Sequence, residues 1–192
     1  DVYKRQIRLT PNQDILLCNI PNKSKKAIKI ALKNIGYSNL DDINEIQRHA
    51  LACPALPLCG LAMTEAERIL PDVLKRIENL FSNMDIKKTI LFRMTGCPNG
   101  CARPYIAEIA FVGRAPGKYN IYLGGGFTGD RMNKLYKASV KQEEILGILR
   151  PIFEHYARER TEGERFGDFV IRAGYVAETR EGREFHDDFR EE

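Results

Sequence analysis

Four cysteines arranged in two pairs constrain this chain more than any other feature of its sequence. Cys53 and Cys59 are separated by five residues, and Cys97 and Cys101 are separated by three. The second pair encloses a Pro-Asn-Gly turn that follows a strand-like apolar run, which would hold both thiols at a strand end. Thiolates are soft ligands that select iron–sulfur clusters, zinc or copper(I). A fold that joins the two pairs would therefore create a four-thiolate metal site.

Spacing and flanking residues favour a [4Fe–4S] cluster at such a site. Zinc knuckles usually have about two to four residues between their cysteines, so the Cys53–Cys59 spacing is wide for zinc. A cubane cluster tolerates that spacing, because its iron corners lie apart from one another. Proline and glycine also flank the cysteines, which keeps side-chain bulk away and lets backbone N–H groups point at sulfur. These residues are Pro54, Pro57, Gly60, Gly96, Pro98 and Gly100. From spacing alone, a zinc site and buried or redox-active cysteines remain alternatives.

Hydrophobic periodicity predicts that strands and helices alternate along the chain. The predicted strands cover residues 7–9, 15–20, 88–94, 107–113, 119–123 and 169–171. The predicted helices cover residues 24–35, 41–51, about 64 to 80 and about 141 to 160. In the third helix Thr64 and Glu67 have the spacing of a capping box, and Pro71 is expected to break or restart the helix. The predicted fold class is therefore α/β, in the broad sense that includes α+β.

Charge and hydropathy argue against two classes of partner. The formal net charge is only +4, and basic residues are scattered among acidic ones, so the sequence offers no nucleic-acid surface. No apolar run approaches the roughly 20 residues of a membrane-spanning helix. Five cysteines is an odd number, which argues against a closed disulfide framework and favours a reducing, cytoplasmic compartment. The fifth cysteine, Cys18, is predicted to be a buried strand residue.

Two long motifs carry a resemblance to a known family. ACPALPLCGLAMTEAER, residues 52–68, and RMTGCPNGCARPYIAEIAFVGRAPGKYNIYLGGG, residues 93–126, resemble the sulfite/nitrite reductase family in order and spacing. The likeness extends from RLTPNQDILLCNIP, residues 8–21, to FGDFVIRAGYV, residues 166–176. The resemblance implies the siroheme- and [4Fe–4S]-binding lobe of the sulfite/nitrite reductase fold, together with the end of a ferredoxin-like half-domain.

The resemblance also implies the ligands and the reaction. The cluster ligands of the family match Cys53, Cys59, Cys97 and Cys101, and Cys101 would also bridge to the siroheme iron as its axial ligand. The implied reaction is the six-electron reduction of sulfite to sulfide, with electrons from ferredoxin or from an NADPH flavoprotein. The family's substrate-binding Arg and Lys residues belong to segments ahead of this one. Beyond the axial ligand Cys101, no catalytic residue is therefore expected here.

Two alternative functions stay open. In nitrite reductases the second motif more typically reads TGCPNSC followed by Gly-Gln, so Gly100 and the pair Ala102-Arg103 favour the sulfite branch. A non-catalytic module stabilised by zinc on four cysteines is the alternative of a different class. Arg93 and Arg103 flank the cysteine turn, where each could pair with a siroheme carboxylate or form a surface salt bridge.

Four segments are expected along the chain. Residues 1–6, DVYKRQ, resemble the translation of a transposon end used in sequencing libraries, and we interpret them as a scar. Residues 7–40 are expected to finish the ferredoxin-like half-domain, and residues 41–176 to form the siroheme- and cluster-binding domain. Residues 177–192 are charged and are expected to be a loosely ordered tail. With no initiator Met, the sequence is interpreted as the C-terminal portion of a longer protein, which would be cytoplasmic, or plastid if eukaryotic.

Overall fold

The structure is a computed structural model that describes residues 7–37, 45–84, 86 and 89–189. The chain divides into two units, Asp1–Arg48 and His49–Glu192. Several predictions fall partly or wholly outside the described residues, among them the first residue of the strand at 88–94 and the end of the tail at 177–192. The others concern the scar at residues 1–6, the domain boundary near residue 40, and the first turn of the helix at 41–51.

The described part of the first unit contains a hairpin and one long helix. Strand β1 (Ile7–Leu9) pairs antiparallel with β2 (Ile15–Leu17), and α1 (Lys25–Asn34) follows a 3-10 turn at Asn22–Ser24. Because β2 ends at Leu17, Cys18 lies beyond the strand and is partly exposed. The prediction that Cys18 is a buried strand residue is therefore wrong. No residue of α1 is buried, and the apolar side chains of both strands are exposed.

A five-stranded mixed sheet forms the second unit, in the order β3-β4-β5-β6-β7. Its strands are β3 (Leu51–Ala52), β4 (Phe92–Thr95), β5 (Ile109–Ala115), β6 (Lys118–Leu123) and β7 (Lys134–Lys141). The first three strands are parallel to one another, whereas β6 pairs antiparallel with both β5 and β7. The helices are α2 (Glu45–His49), which spans the division between the units, α3 (Leu70–Phe81), α4 (Ile145–Glu159) and α5 (Phe166–Arg172). Short 3-10 helices lie at Pro104–Ile106, Gln142–Glu144 and Gly182–Phe189. This arrangement confirms the predicted α/β class in its broad sense.

Aromatic contacts join helices α3, α4 and α5 of the second unit. The buried residues of α3 recur at helical spacing, as Leu70, Val73, Leu74, Ile77 and Phe81. Phe81 meets Phe153 of α4 edge to face, with ring centroids 4.9 Å apart, and Phe153 packs in turn on Phe166 of α5. Among the described residues, no helix combines the length and apolar character that crossing a bilayer requires.

Several predicted elements are corrected by these contacts. Residues 169–171 belong to helix α5, so the predicted late strand is wrong; Phe166, Phe169 and Val170 are buried at helical spacing. The strand β7 was not predicted, because it lies at the sheet edge and Val140 is its one buried residue. Helix α4 continues through Pro151. Proline has no backbone N–H, so the carbonyl of Gly147, four residues earlier, lacks its helical hydrogen bond. Gly147 is exposed, so water can donate to that carbonyl instead.

The start of the third predicted helix and the order of the tail are also corrected. Helix α3 begins at Leu70 with Pro71 in its first turn, so Thr64 and Glu67 form no capping box. Residues 182–189 form a 3-10 helix, and Phe185 is buried against Tyr105 and Tyr122 with ring centroids 5.1 and 6.0 Å away. The expectation of a loosely ordered tail is wrong for these residues, because one aromatic side chain anchors them to the core.

A buried carboxylate holds three segments of the second unit together. The side chain of Glu108, at the start of β5, is fully buried. One of its oxygens accepts the backbone N–H of Leu91 at 2.9 Å and the other accepts that of Gly167 at 3.1 Å. Arg165 lies 3.6 Å from the carboxylate. Burial raises the pKa of Glu108, although the two N–H donors and Arg165 oppose that shift.

Replacing Glu108 with alanine is expected to lower the free energy of unfolding by about 2–4 kcal/mol, since two buried N–H groups lose their acceptor. Because the folded pKa is raised above its ordinary value of 4.5, the advantage of wild type over Glu108→Ala should be greatest below pH 4.5. It should shrink as pH rises through the folded pKa. Urea unfolding at two pH values measures both effects. Glu162→Ala, at an exposed position, is the matched control. An equal loss of unfolding free energy in the two variants would contradict a stabilising role for the buried Glu108 carboxylate.

Limited proteolysis should distinguish the two units. We expect trypsin to cut first at the lysines of α1, because no residue of that helix is buried and its backbone can open at little cost. Arginines at 150 and 158, in the packed helix α4, provide the internal comparison. Mass spectrometry of the early fragments identifies the cleaved bonds. Cleavage within α4 at the same rate as within α1 would contradict the expectation that the unburied helix α1 opens more readily than the packed helix α4.

Candidate metal centre

Parallel strands bring the two cysteine pairs to one edge of the sheet. Cys53 follows β3 directly, and Cys97 follows β4 after one intervening residue, Gly96. The two strands run parallel with Ala52 opposite Met94, and the N–H of Cys53 continues the pairing by donating to the Met94 carbonyl at 3.1 Å. Carboxyl ends of parallel strands lie at the same edge, which is where binding sites form in open sheets of this kind.

The backbone of Gly96 connects the two cysteine loops. Its N–H donates to the Sγ of Cys53 at 3.3 Å. Its carbonyl accepts the N–H groups of Met63 and Thr64, at 2.8 and 3.2 Å. The loop that carries Cys53 and Cys59 is therefore joined to the loop that carries Cys97 by three hydrogen bonds at a single residue.

Glycine is required at this contact because the backbones approach closely. A Cβ atom at position 96 would lie 2.6 Å from the Cβ of Ala55 and 2.6 Å from the carbonyl oxygen of Thr64. Gly113 of β5 lies directly against the same segment, and a Cβ there would overlap the Gly96 carbonyl group. Gly96 and Gly113 therefore have a packing role that no larger residue can fill without displacing backbone.

A pair of hydroxyl groups anchors the first cysteine loop to the sheet. Thr64 donates to the phenol oxygen of Tyr119 at 3.1 Å, and Tyr119 donates in turn to the Glu65 carbonyl at 2.7 Å. The Thr64 hydroxyl also accepts the N–H of Gly117 at 3.1 Å. No sequence signal pairs Tyr119 with Thr64, because the contact joins residues far apart in the chain.

The second cysteine loop is supported by Tyr105 and by left-handed backbone. Tyr105 donates from its hydroxyl to the carbonyl of Pro98 at 2.8 Å, and burial raises the pKa of Tyr105 to about 12. Gly100 and Arg103 have positive φ angles of 71° and 52°, which return the chain after Cys101 into the 3-10 helix at Pro104–Ile106. The left-handed conformation is unfavourable for arginine.

Three of the four predicted ligands interact electrostatically. Burial raises the pKa of Cys53, hydrogen bonds from the N–H groups of Gly96 and Ala55 oppose that rise, and the charges of Cys101 and Cys97 add to it. Cys59 lies on the same loop as Cys53 and donates its N–H to the Ala55 carbonyl at 2.7 Å. All four thiols are free of disulfides.

Exposure differs among the four thiols in a way that fits two cofactors. Cys53 and Cys97 are buried, Cys59 is partly exposed, and Cys101 is exposed. Within the described ranges, no three acidic, histidine or cysteine side chains surround a single-ion position. The donor set of soft thiols, together with a backbone N–H aimed at one sulfur, fits an iron–sulfur cluster. The assignment of all four cysteines as ligands stays a prediction.

Two arginines lie beside the second cysteine loop, as the sequence suggested. Arg93 of β4 is buried, with 6% of its surface exposed, and donates from Nη1 to the Arg103 carbonyl at 2.9 Å. Burial, followed by the charge of Arg103, lowers the pKa of Arg93 to about 10. Its Nε and the hydroxyl of Thr95 are buried without a hydrogen-bond partner.

Comparison with known proteins gives one family match and several relatives. Residues 45–181 match the model of the nitrite and sulphite reductase 4Fe-4S domain. The chain is 51% identical, over 97% of its length, to the sulfite reductase [NADPH] hemoprotein beta-component of Staphylococcus saprophyticus, and 52% identical over the same share to that of Afipia carboxidovorans. It covers 33% and 32% of these proteins, so it spans about a third of the length of the curated relatives it matches. The structure of the Mycobacterium tuberculosis NirA protein is similar over 88% of this chain and 33% of that one, with a TM-score of 0.67 and 26% identity.

Substituting Gly96 with alanine is expected to prevent metal loading, because the added methyl group would push the two cysteine loops apart. We also expect a loss of about 1–3 kcal/mol in the free energy of unfolding. Iron and acid-labile sulfide analysis after anaerobic reconstitution measures the first effect. Gly147→Ala is the control, since a Cβ at that position meets nothing within 4 Å. Full iron content in Gly96→Ala would rule out the close contact as a requirement.

Proposed function

This chain belongs to the nitrite and sulphite reductase 4Fe-4S domain family, and we propose that it is the cluster-binding portion of a sulfite reductase. In this proposal Cys53, Cys59, Cys97 and Cys101 hold a [4Fe–4S] cluster, and Cys101 also ligates the iron of a siroheme. The observation that carries the proposal is the gradient of exposure at one sheet edge, from buried Cys53 and Cys97 to exposed Cys101.

The residues of this chain would contribute binding, shielding and orientation. Burial of Cys53 and Cys97 excludes water from the inner side of the site, and the Gly96 N–H offsets negative charge on the Cys53 sulfur. The Tyr105–Pro98 hydrogen bond holds the turn that presents Cys101. When bound, the two cofactors would supply electron storage and transfer through a shared thiolate ligand.

We propose sulfite, reduced by six electrons to sulfide, as the substrate of the full-length protein. Two of the relatives are named as hemoprotein components of an NADPH-linked sulfite reductase. The names support an NADPH flavoprotein as the electron donor, and ferredoxin is the alternative donor. Nitrite is the alternative substrate within the family, and TGCPNGC followed by Ala-Arg supports sulfite over it. The five cysteines, none of which forms a disulfide, support a cytoplasmic location.

Metal analysis of cysteine variants tests the proposed ligands. Anaerobically reconstituted wild type should contain about four irons and four sulfides per chain. Cys53→Ser and Cys101→Ser should lose most of both, because each removes one thiolate of the four. Cys18→Ser is the matched control, since Cys18 lies in the first unit, outside the proposed ligand set.

The same measurement separates the cluster from its rival. A [4Fe–4S] protein is brown, with a broad thiolate-to-iron absorption, whereas a zinc protein is colourless. One zinc per chain without sulfide would contradict the reductase assignment and favour a structural four-cysteine zinc module. Equal iron content in Cys101→Ser and Cys18→Ser would remove Cys101 from the ligand set.

A further inference from the structure

The guanidinium group of Arg93 has one occupied side and one vacant side. Its Nη1 donates to the carbonyl of Arg103 at 2.9 Å. Its Nε is buried and has no partner. The bond from Nη1 is the one hydrogen bond found for this guanidinium among the described residues. The Nε and Nη2 atoms form one edge of the planar fork, and this edge is the one that can bind a carboxylate through two parallel hydrogen bonds.

The surroundings of Arg93 leave its charge uncompensated. Within the described part of the chain, no carboxylate forms an ion pair with it, and the one charge that acts on it noticeably is the like charge of Arg103. Its neighbours across the sheet are Leu51 and Ala110. A buried cation without a counter-ion is costly, so a site of this kind is expected to be completed by an anion.

A second unpartnered donor lies on the same side of β4. Successive side chains of a strand point to opposite faces, so Arg93 and Thr95 share one face. The hydroxyl of Thr95 is fully buried and has no hydrogen-bond partner. Both groups are among the few buried side-chain polar atoms of the described residues that have no hydrogen-bond partner. They lie on the strand that leads into the turn holding Cys97 and Cys101.

Planar geometry and position identify the chemistry of the missing anion. A carboxylate fits the open Nε–Nη2 edge in the plane of the guanidinium. The Arg93 side chain reaches the residue two positions after Cys101, so the anion would lie near the exposed thiol. Under the proposed function, a siroheme is the nearest group with carboxylates that this chain does not itself supply.

We propose that the open edge of Arg93 binds a carboxylate of the siroheme and anchors that cofactor beside Cys101. This inference rests on the proposed function and adds a binding residue to it. A carboxylate could also come from an aspartate or glutamate elsewhere in the full-length protein, which would offer the same chemistry. Titration with siroheme separates these two sources, because a carboxylate supplied by the protein would not make siroheme binding depend on Arg93.

Siroheme affinity of the full-length, cluster-loaded protein tests the assignment. The probes are siroheme and its methyl-esterified form, which lacks free carboxylates, and the readout is the change in Soret absorbance during titration. Arg93→Gln should weaken binding of siroheme by about tenfold or more, while binding of the ester stays within about twofold of wild type. Arg114→Gln, which removes an exposed arginine from β5, should bind both probes as wild type does.

A conservative variant keeps the test decisive if Arg93→Gln loses its fold. Arg93→Lys retains the charge but not the fork, so it should weaken siroheme binding by an intermediate factor and leave ester binding unchanged. Equal losses for siroheme and its ester would overturn the inference, because the variant would then act on the pocket and not on a carboxylate. Unchanged siroheme binding in both variants would also overturn it.

Two further outcomes identify the reason for a failure. One such outcome is that Arg93→Gln binds siroheme as wild type does, while the cofactor-free, full-length variant melts at a lower temperature than wild type. This result would overturn the inference and assign the carboxylate to another segment of the protein. If wild type binds no siroheme at all, the proposed function and this inference are overturned together. Equal binding by wild type and Arg93→Gln overturns this inference alone.

Discussion

The backbone contact at Gly96 is the constraint on which the rest of the site depends. One residue donates to the Cys53 sulfur and accepts two N–H groups from the loop that contains Cys59. The contact is possible because neither Gly96 nor Gly113 carries a side chain where the segments meet. A ligand set assembled from two loops needs such a contact, since four thiolates must be held at defined positions before a cluster can bind them.

Close backbone packing recurs on the other side of β5. Gly125 lies against the backbone of Ala107, and Gly167 of α5 lies against the Gly125 carbonyl group, so neither position has room for a Cβ atom. Glu108 bonds to the N–H groups of Leu91 and Gly167 in the same region. The glycines allow the approach and the carboxylate satisfies the amides buried by it. Together they set the position of β5 and of α5, and β5 carries Gly113, which packs against the Gly96 carbonyl group.

Arg93 and Glu108 differ in how far their charges are compensated. The Glu108 carboxylate has two amide donors and a neighbouring arginine, whereas Arg93 has one carbonyl acceptor and no acidic partner among the described residues. Unsatisfied buried groups are expensive, and proteins retain them mainly where a ligand completes the bonding. The contrast supports a structural role for Glu108 and, for Arg93, the proposed role of binding an anion near Cys101.

The sequence by itself determined the family, the mixed α/β class and the four cysteines as candidate ligands. The family match confirms the first of these, and the sheet with its helices confirms the second. Motif spacing is local information, and so are the apolar repeats of α3 and α4, which is why they could be read directly. The ligand set itself stays a prediction.

Only the tertiary structure decided which distant residues support the site. Three contacts join residues that are far apart in the chain. They are the Thr64–Tyr119 hydrogen bond, the packing of Gly113 on Gly96, and the hydrogen bonds to Glu108. Packing also overrode local preference at residues 169–171, where aromatic contacts with α4 favour a helix over the predicted strand. Burial of Phe185 likewise ordered a charged segment that composition alone describes as a tail. Such pairings follow from the three-dimensional path of the chain, and no periodicity within one segment can encode them.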